Sequence, residues 1–425
     1  MRVALVNPEA PINRFDYKGF LGEPLGLLYI ASVLEYHGHE VKVFDLQANP
    51  KLNLTKEVEN YMPEIVGITS MTANFYKAKE VAKLIKQNFS VFTILGGVHA
   101  TFTFNELSHH PEFDAYAIGE GEFTMLELVN TLERGDRLDS VRGLVYKVNG
   151  QLFYNKHRPL VNDLDSLPFP ARHLIDMKFY ISHKGSASLI TTRGCPYSCI
   201  FCSTSKLHGN RYRVRSIESV MEEIELVLSI YAPPSISFVD DNFTFNKHRV
   251  KVLCKAILKR GFDFPWSCSA RVDNIDENLL KLMNDSGCEE IFFGIESGSQ
   301  RILDRVRKGF KLEQAEKAIK LAKKFGIKVT VSFILGLPGE SKETIRETIN
   351  FAKKLDADSY IFSFATPFPG TELYKNLEKL GCRVVDRDLS HYTCHYPVME
   401  TEDFNIYDLQ TAWIEAALQL SRKVV

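Results

Sequence analysis

The first 194 residues of this 425-residue chain contain no cysteine, although the whole has eight. That absence excludes a disulfide-stapled or thiolate-metallated N-terminal half. Excess charge is missing too, with 52 Lys and Arg against 53 Asp and Glu, a net charge of −1. A broad nucleic-acid-binding face would show as a basic surplus, so nucleic acid is not an expected partner. No apolar run approaches the roughly 18 residues of a membrane span. The opening MRVALVNPEAP lacks the apolar stretch of a signal peptide. Glycine (25) and proline (17) are too few for a long low-complexity segment. These absences describe a neutral, cytoplasmic, globular chain of two or three domains, at roughly 150 residues each.

Short apolar runs do occur, and in a regular order. Val3–Asn7, Val41–Asp45, Ile65–Thr69, Phe92–Leu95 and Ala115–Ile118 read as buried strands. Leu25–Tyr36, Thr55–Tyr61, Ala73–Asn88 and Phe123–Arg134 read as the helices between them. Such alternation predicts an α/β fold: a Rossmann-like, doubly wound parallel sheet over residues 1–140. Its ligands would bind at the carboxyl ends of the strands. Residues 141–185 hold a hairpin around Asn149-Gly150 and a linker centred on Leu167-Pro168-Phe169-Pro170. A second series over 186–375 has strands near Ser188–Thr192, Ile236–Val239, Trp266–Ser269, Glu290–Gly294, Val329–Leu335 and Ser359–Phe364. Six βα units predict a partial (β/α)6 TIM-like barrel with its chemistry at the C-terminal strand ends. Residues 376–425 form a short, mostly helical C-terminal segment, ending in a helix near Leu409–Arg422.

Three of the eight cysteines fall within eight residues, in Cys195-Pro196-Tyr197-Ser198-Cys199-Ile200-Phe201-Cys202, just after the first barrel strand. Close spacing lets one loop wrap one cluster, and three thiolates hold three irons of a 4Fe–4S cluster, leaving the fourth open. A zinc site completed by His208 is the alternative. The other cysteines are scattered along the sequence.

The C-x3-C-x2-C loop, with Phe201 before its last cysteine, resembles that of the radical S-adenosylmethionine (SAM) enzymes. In that family the open iron binds SAM, and the reduced cluster cleaves it to methionine and a 5′-deoxyadenosyl radical. The resemblance implies SAM contacts at further strand ends. Asp240, Asp241 and Asn242 end the second strand, in place of the usual Gly-Gly-Glu that faces the SAM amino group. Ser269 and Arg271 end the third; Arg271 would fork onto the SAM carboxylate, or else bridge to Asp273. Glu296 ends the fourth and would accept from the ribose hydroxyls. Leu337 and Pro338, in Gly336-Leu337-Pro338-Gly339-Glu340, resemble the adenine-contacting segment, with Glu340 alternatively a cap for the next helix.

The N-terminal loops resemble the cobalamin-binding domain of cobalamin-dependent radical SAM enzymes. The matching pieces are Pro24, Leu25 and Gly26 opening the first helix, Ser70, Met71 and Thr72, then Gly96, Gly97 and His99, and lastly Gly119 and Glu120. Gly96 and Gly97 would leave a slot for the nucleotide tail, which Ser70 and Thr72 would hydrogen-bond. The Asp-x-His-x-x-Gly motif is absent, so the resemblance implies cobalamin without a histidine on cobalt, its lower face toward the Met71–Phe75 loop. His99 reads as a tail contact or a structural residue.

These resemblances imply a methyltransferase acting on an unactivated carbon through a 5′-deoxyadenosyl radical and methylcobalamin. Cyclisation, oxidation or carbon–carbon coupling is the alternative outcome, with cobalamin absent or not methylating. Methylthiotransferases carry a second cluster on N-terminal cysteines, which this chain lacks. A small-molecule, lipid or peptide substrate fits, as does a flavodoxin- or ferredoxin-like electron donor near the stripe Lys317, Lys320 and Lys324. Tyr392 and Cys394 are candidates for quenching a radical, against plain packing.

Overall fold

Buried apolar runs covered on both faces favour parallel pairing. In the computed structural model, which describes residues 1–10, 21–420 and 424, this holds for both halves of the chain. The chain divides into two units, Met1–Gly185 and Ser186–Val425.

In the first unit, β1 (Arg2–Asn7), β2 (Glu40–Asp45), β3 (Ile65–Thr69), β4 (Phe92–Gly96) and β5 (Ala115–Ala117) form a parallel sheet in the order β2-β1-β3-β4-β5. The helices between and after them are α1 (Leu25–Tyr36), α2 (Leu54–Tyr61), α3 (Phe75–Asn88), α4 (Val98–Thr103), α5 (Glu122–Glu133) and, in the linker, α6 (Met177–Lys184). Helix α4 begins inside what the sequence reads as a loop, after Gly97 turns the chain at φ +95°. The hairpin β6 (Leu144–Val148) and β7 (Gln151–Tyr154) does more than predicted. It pairs antiparallel onto β5 and extends the sheet to seven strands. Asn149 and Gly150 both have positive φ, as a tight hairpin turn with the right twist demands. The core gathers Val3 and Leu5 of β1, Leu27, Ala31 and Leu34 of α1, and Met125 and Leu128 of α5.

The second unit opens with β8 (Ala187–Leu189), β9 (Thr192–Arg193), α7 (Thr204–Leu207), β10 (Arg213–Val214) and α8 (Ile217–Tyr231). It continues through β11 (Ile236–Phe238), α9 (Lys247–Lys259), β12 (Trp266–Ala270), α10 (Glu277–Asp285), β13 (Cys288–Glu296), α11 (Gln300–Arg305) and α12 (Leu312–Lys324). Then come β14 (Lys328–Leu335), α13 (Lys342–Leu355), β15 (Ser359–Phe364), α14 (Glu372–Lys375), β16 (Cys382–Val384), β17 (Met399–Thr401) and α15 (Ile406–Leu420). Strands β8, β11, β12, β13, β14 and β15 pair in parallel, each with the next in sequence, the order of a partial (β/α)6 barrel. The C-terminal segment adds an antiparallel β16–β17 ladder to the expected helix. The predicted helix end at Arg422 lies outside the described residues.

Candidate functional site

The run Ser188–Thr192 reads as one strand, yet the structure splits it into β8 and β9. The cause is Asp240. Its buried carboxylate accepts from Thr191 N (2.7 Å), Thr191 Oγ1 (2.8 Å) and Thr192 N (2.5 Å), pulling the chain out of the sheet. Burial, opposed by these bonds, pushes the Asp240 carboxyl up to about 6. Strand β9 then pairs antiparallel with β10, closing residues 194–212 into a loop. Gly194, at φ +92°, sits where a Cβ would collide with the Arg211 carbonyl, so only glycine lets the loop close. Asp241 accepts from Gly194 N at 2.8 Å.

On this loop Cys195, Cys199 and Cys202 are free and half-buried. Burial is the main cause raising the Cys195 thiol, and the neighbouring Cys202 and Cys199 add to it. The three thiols therefore share one electrostatic neighbourhood. Among the described residues no three His, Cys, Asp or Glu groups are close enough for a single ion. His208, the fourth ligand of the zinc alternative, has Nδ1 3.0 Å from Arg213 Nη2. A three-thiolate donor set on one loop fits a cluster, whose irons are themselves spread apart.

The loop is held from two sides that the sequence did not reveal. Ile200 N donates to Val306 O (3.2 Å), and Cys199 Sγ lies 3.7 Å from Arg307 O. Leu373 N donates to Ile200 O (2.9 Å), and Arg307 pairs with Glu372. A signal was present in Val306-Arg307-Lys308-Gly309-Phe310: charges followed by glycine between two helices, the mark of a turn with work to do.

The expected SAM contacts divide into committed and available groups. Asp240 spends its carboxylate on Thr191 and Thr192, and Asp241 gives one oxygen to Gly194 N. Arg271 forks onto Asp273, with Nε–Oδ1 and Nη2–Oδ2 both 3.0 Å, and its guanidinium stacks 3.6 Å from the Tyr197 ring centroid. Asp273 thus takes two of the guanidinium's nitrogens. Glu296, buried and at φ +75°, pairs with Lys308 at 2.7 Å and accepts from Ser332 Oγ at 3.3 Å. Asn242 is buried with both amide atoms unpartnered, and Ser269 is half-buried at the end of β12. Phe201 packs against a core cluster that includes Leu337, while Pro338 is buried beside it. Glu340 accepts from Gly336 N (2.6 Å) and Leu337 N (3.1 Å), so it shapes its own turn, while Ser341 caps α13. Burial pushes the Glu340 carboxyl up to about 8. Tyr392 is buried against Phe368, and Cys394, at φ +68°, receives the Phe364 N–H at the end of β15.

In the first unit the sheet order reverses between β1 and β3, the switch point where such sheets bind ligands. Met71 is exposed there, and nothing fills the space where a Cβ would stand at Gly26 or at Gly119, itself at φ +80°. Pro24 precedes α1 and Leu25 is buried in it. Several expected ligand contacts instead have partners within the unit. A Cβ on Gly97 would stand 2.5 Å from Ser70 O, so loop packing by itself requires glycine here. Gly96 has only Ala117 Cβ near, at 3.9 Å. Ser70 Oγ donates to Met71 O (2.8 Å), and Glu120 Oε2 accepts from Val161 N (2.7 Å). His99 is 2% exposed, its ring 4.2 Å from Phe75 and its Nδ1 3.4 Å from Thr72 Oγ1. Burial, aided by His110, lowers it to about 4, so it stays neutral, with Nε2 unpartnered. Open space at Gly26 and Gly119 and the orphaned buried imidazole of His99 fit a bulky, polar-edged cofactor.

Folding also assembles three cysteines that are far apart in sequence. Cys254, Cys268 and Cys288 are buried together, and burial drives the Cys254 thiol up to about 12. They are inert packing thiols.

Known proteins agree with this division. Residues 189–352 match the Radical SAM superfamily and residues 17–129 the B12 binding domain. An uncharacterized methyltransferase of Pyrococcus horikoshii, PH0819, is 40% identical over 95% of this chain and 89% of its own length. The anaerobic magnesium-protoporphyrin IX monomethyl ester cyclase of Rubrivivax gelatinosus is 30% identical over 95% of this chain and 74% of its own. The radical SAM methyltransferase TsrM of Kitasatospora setae, solved with cobalamin and a 4Fe–4S cluster, shares the fold. Its TM-score is 0.83 at 19% identity, over 100% of this chain and 92% of that one. The chain belongs to the cobalamin-dependent radical SAM enzymes.

Proposed function

We propose that this enzyme transfers a methyl group to an unactivated carbon of a small-molecule, lipid or peptide substrate. The observation that carries the reading is the pairing, in one chain, of three free thiols at a barrel's strand ends with open glycine loops at the switch point of a second parallel sheet. When bound, cobalamin supplies a cobalt centre that carries the methyl group, and the reduced cluster supplies the electron that cleaves SAM. The chain's own residues hold and orient. Cys195, Cys199 and Cys202 hold three irons. Asp240 and Asp241 fix the backbone that carries them. The Asn242 amide and Ser269 hydroxyl offer polar contacts to the methionyl end of SAM, while Phe201, Leu337 and Pro338 give apolar cover to its adenine. Pro24, Leu25, Gly26, Ser70, Met71, Thr72 and Gly119 would hold the cobalamin.

No described helix is long and apolar enough to cross a membrane. Eight free cysteines support a reducing, cytoplasmic setting. The exposed Lys317, Lys320 and Lys324 on α12 offer a face for an acidic electron donor. The likeness to a cyclase favours ring formation as the second reading.

The test is anaerobic reconstitution with iron and sulfide, then hydroxocobalamin, then SAM and a one-electron reductant. Expected are charge-transfer absorption near roughly 400 nm, cobalamin retained after desalting, and release of 5′-deoxyadenosine. A colourless protein that leaves SAM intact defeats the enzyme reading. Loss of all cobalamin on desalting defeats methyl transfer and leaves the cyclase.

A further inference from the structure

The turn joining α11 to α12 carries a buried lysine next to the residues that hold the cluster loop. Lys308 is 7% exposed, and its neighbours Val306 and Arg307 supply the backbone oxygens that meet Ile200 N and Cys199 Sγ. Its ammonium is 2.7 Å from Glu296 Oε1, and its carbonyl takes Arg271 Nη2 at 2.5 Å. Arg271 is already balanced by a two-pronged bond to Asp273. Glu296 sits where the β13–β14 register slips, in a left-handed backbone conformation that costs a non-glycine residue energy. A buried ion pair adds little to stability, because desolvation of both charges offsets their attraction. What such a pair does supply is a fixed local field. Lys308 follows Arg307, whose carbonyl is 3.7 Å from Cys199 Sγ, so the pair's field is set beside the cluster loop.

A cluster gains one negative charge on reduction, and a nearby fixed cation favours that state. We propose that Lys308 sets the reduction potential of the cluster held by Cys195, Cys199 and Cys202, as a positioning charge that acts through the cluster, with Glu296 as the counter-charge that limits it. The inference rests on the cluster reading above. One electron arrives from an external one-electron donor, and no bond forms or breaks in this step.

The test is a potentiometric titration of the full-length, reconstituted protein without SAM, read by the electron paramagnetic resonance signal of the reduced cluster. Lys308→Met should lower the reduced-to-oxidised ratio at a given potential by about tenfold, equivalent to about 59 mV for one electron. Lys308→Arg should stay close to wild type, and Glu296→Gln should move the potential the opposite way from Lys308→Met. A Lys308→Met protein that binds its cluster but keeps the wild-type potential overturns the proposal, since a structural role would change occupancy alone. Should Lys308→Met hold no cluster, Glu296→Gln decides: a higher potential upholds the proposal, and an unchanged one overturns it. A wild-type protein that forms no cluster overturns the cluster reading itself, and this inference with it.

Discussion

Both parallel sheets of this chain put their candidate sites at carboxyl strand ends, but they build them differently. In the barrel unit acidic side chains grip backbone: Asp240 takes Thr191 and Thr192, Asp241 takes Gly194, and Glu340 takes Gly336 and Leu337. In the first unit glycines and neutral groups prevail, as in the Gly97–Ser70 approach and the buried, neutral His99. Thiolate ligands must be held at fixed separations around a small cluster, and carboxylate–amide bonds are stiff enough to do that. A large cofactor needs room and close backbone approach, which glycine supplies at the cost of conformational freedom.

Removing a cluster ligand tests that contrast most severely. Cys199→Ala should abolish iron binding and 5′-deoxyadenosine formation while the first unit still retains cobalamin; iron analysis and desalting check both halves. Asp240→Ala removes the acceptor of three buried bonds and should cost about 3 kcal/mol, with iron content falling despite intact cysteines. Gly97→Ala should cost about 2–3 kcal/mol, through positive φ and collision with Ser70 O, whereas Gly119→Ala, with open space, should cost about 1. Thermal midpoints of the two variants separate packing from ligand access, since Gly119→Ala should lose more cobalamin than stability.

Charge gives a finer distinction. The folded-state pKa of Glu340, about 8, lies above its ordinary value, so the native state keeps a proton that the unfolded chain releases. Stability therefore falls as pH rises toward 8, by on the order of a few kcal/mol. Asp240 contributes with the same sign only up to about pH 6, and the lowered His99 with the opposite sign below its ordinary pKa. Between pH 6.5 and 8 (roughly) Glu340 acts alone among these three, so Glu340→Gln should flatten the thermal midpoint across that window. An unchanged slope would show that burial of Glu340 is not what sets it. The smallest effect belongs to His99→Phe: the resonance spectrum of bound cob(II)alamin should not change, since the ring is buried against Phe75. Loss of nitrogen splitting in that variant would make His99 a ligand after all.

Much of the fold was legible because its signals are local. Helix α1 and strand β3 have the bounds expected from apolar periodicity, and Cys195, Cys199 and Cys202 are marked by spacing alone. Sequence separation defeated the rest. Asp240 lies 49 residues from Thr191, so its break in the first barrel strand could not be foreseen. Arg271 has two candidate partners in sequence, and the folded geometry shows its bond to Asp273. The turn around Lys308 showed a charged, glycine-ended run but not what it touches, and Cys254, Cys268 and Cys288 look unrelated until α9, β12 and β13 pack together.

By itself, then, the order of residues determined the two α/β series, the three-thiol loop, and an N-terminal half without thiolate chemistry, because periodicity and ligand spacing act over a few residues. Tertiary structure alone decided which polar groups are spent and which are free. A side chain's availability depends on what burial brings against it, and that partner is almost always distant in sequence.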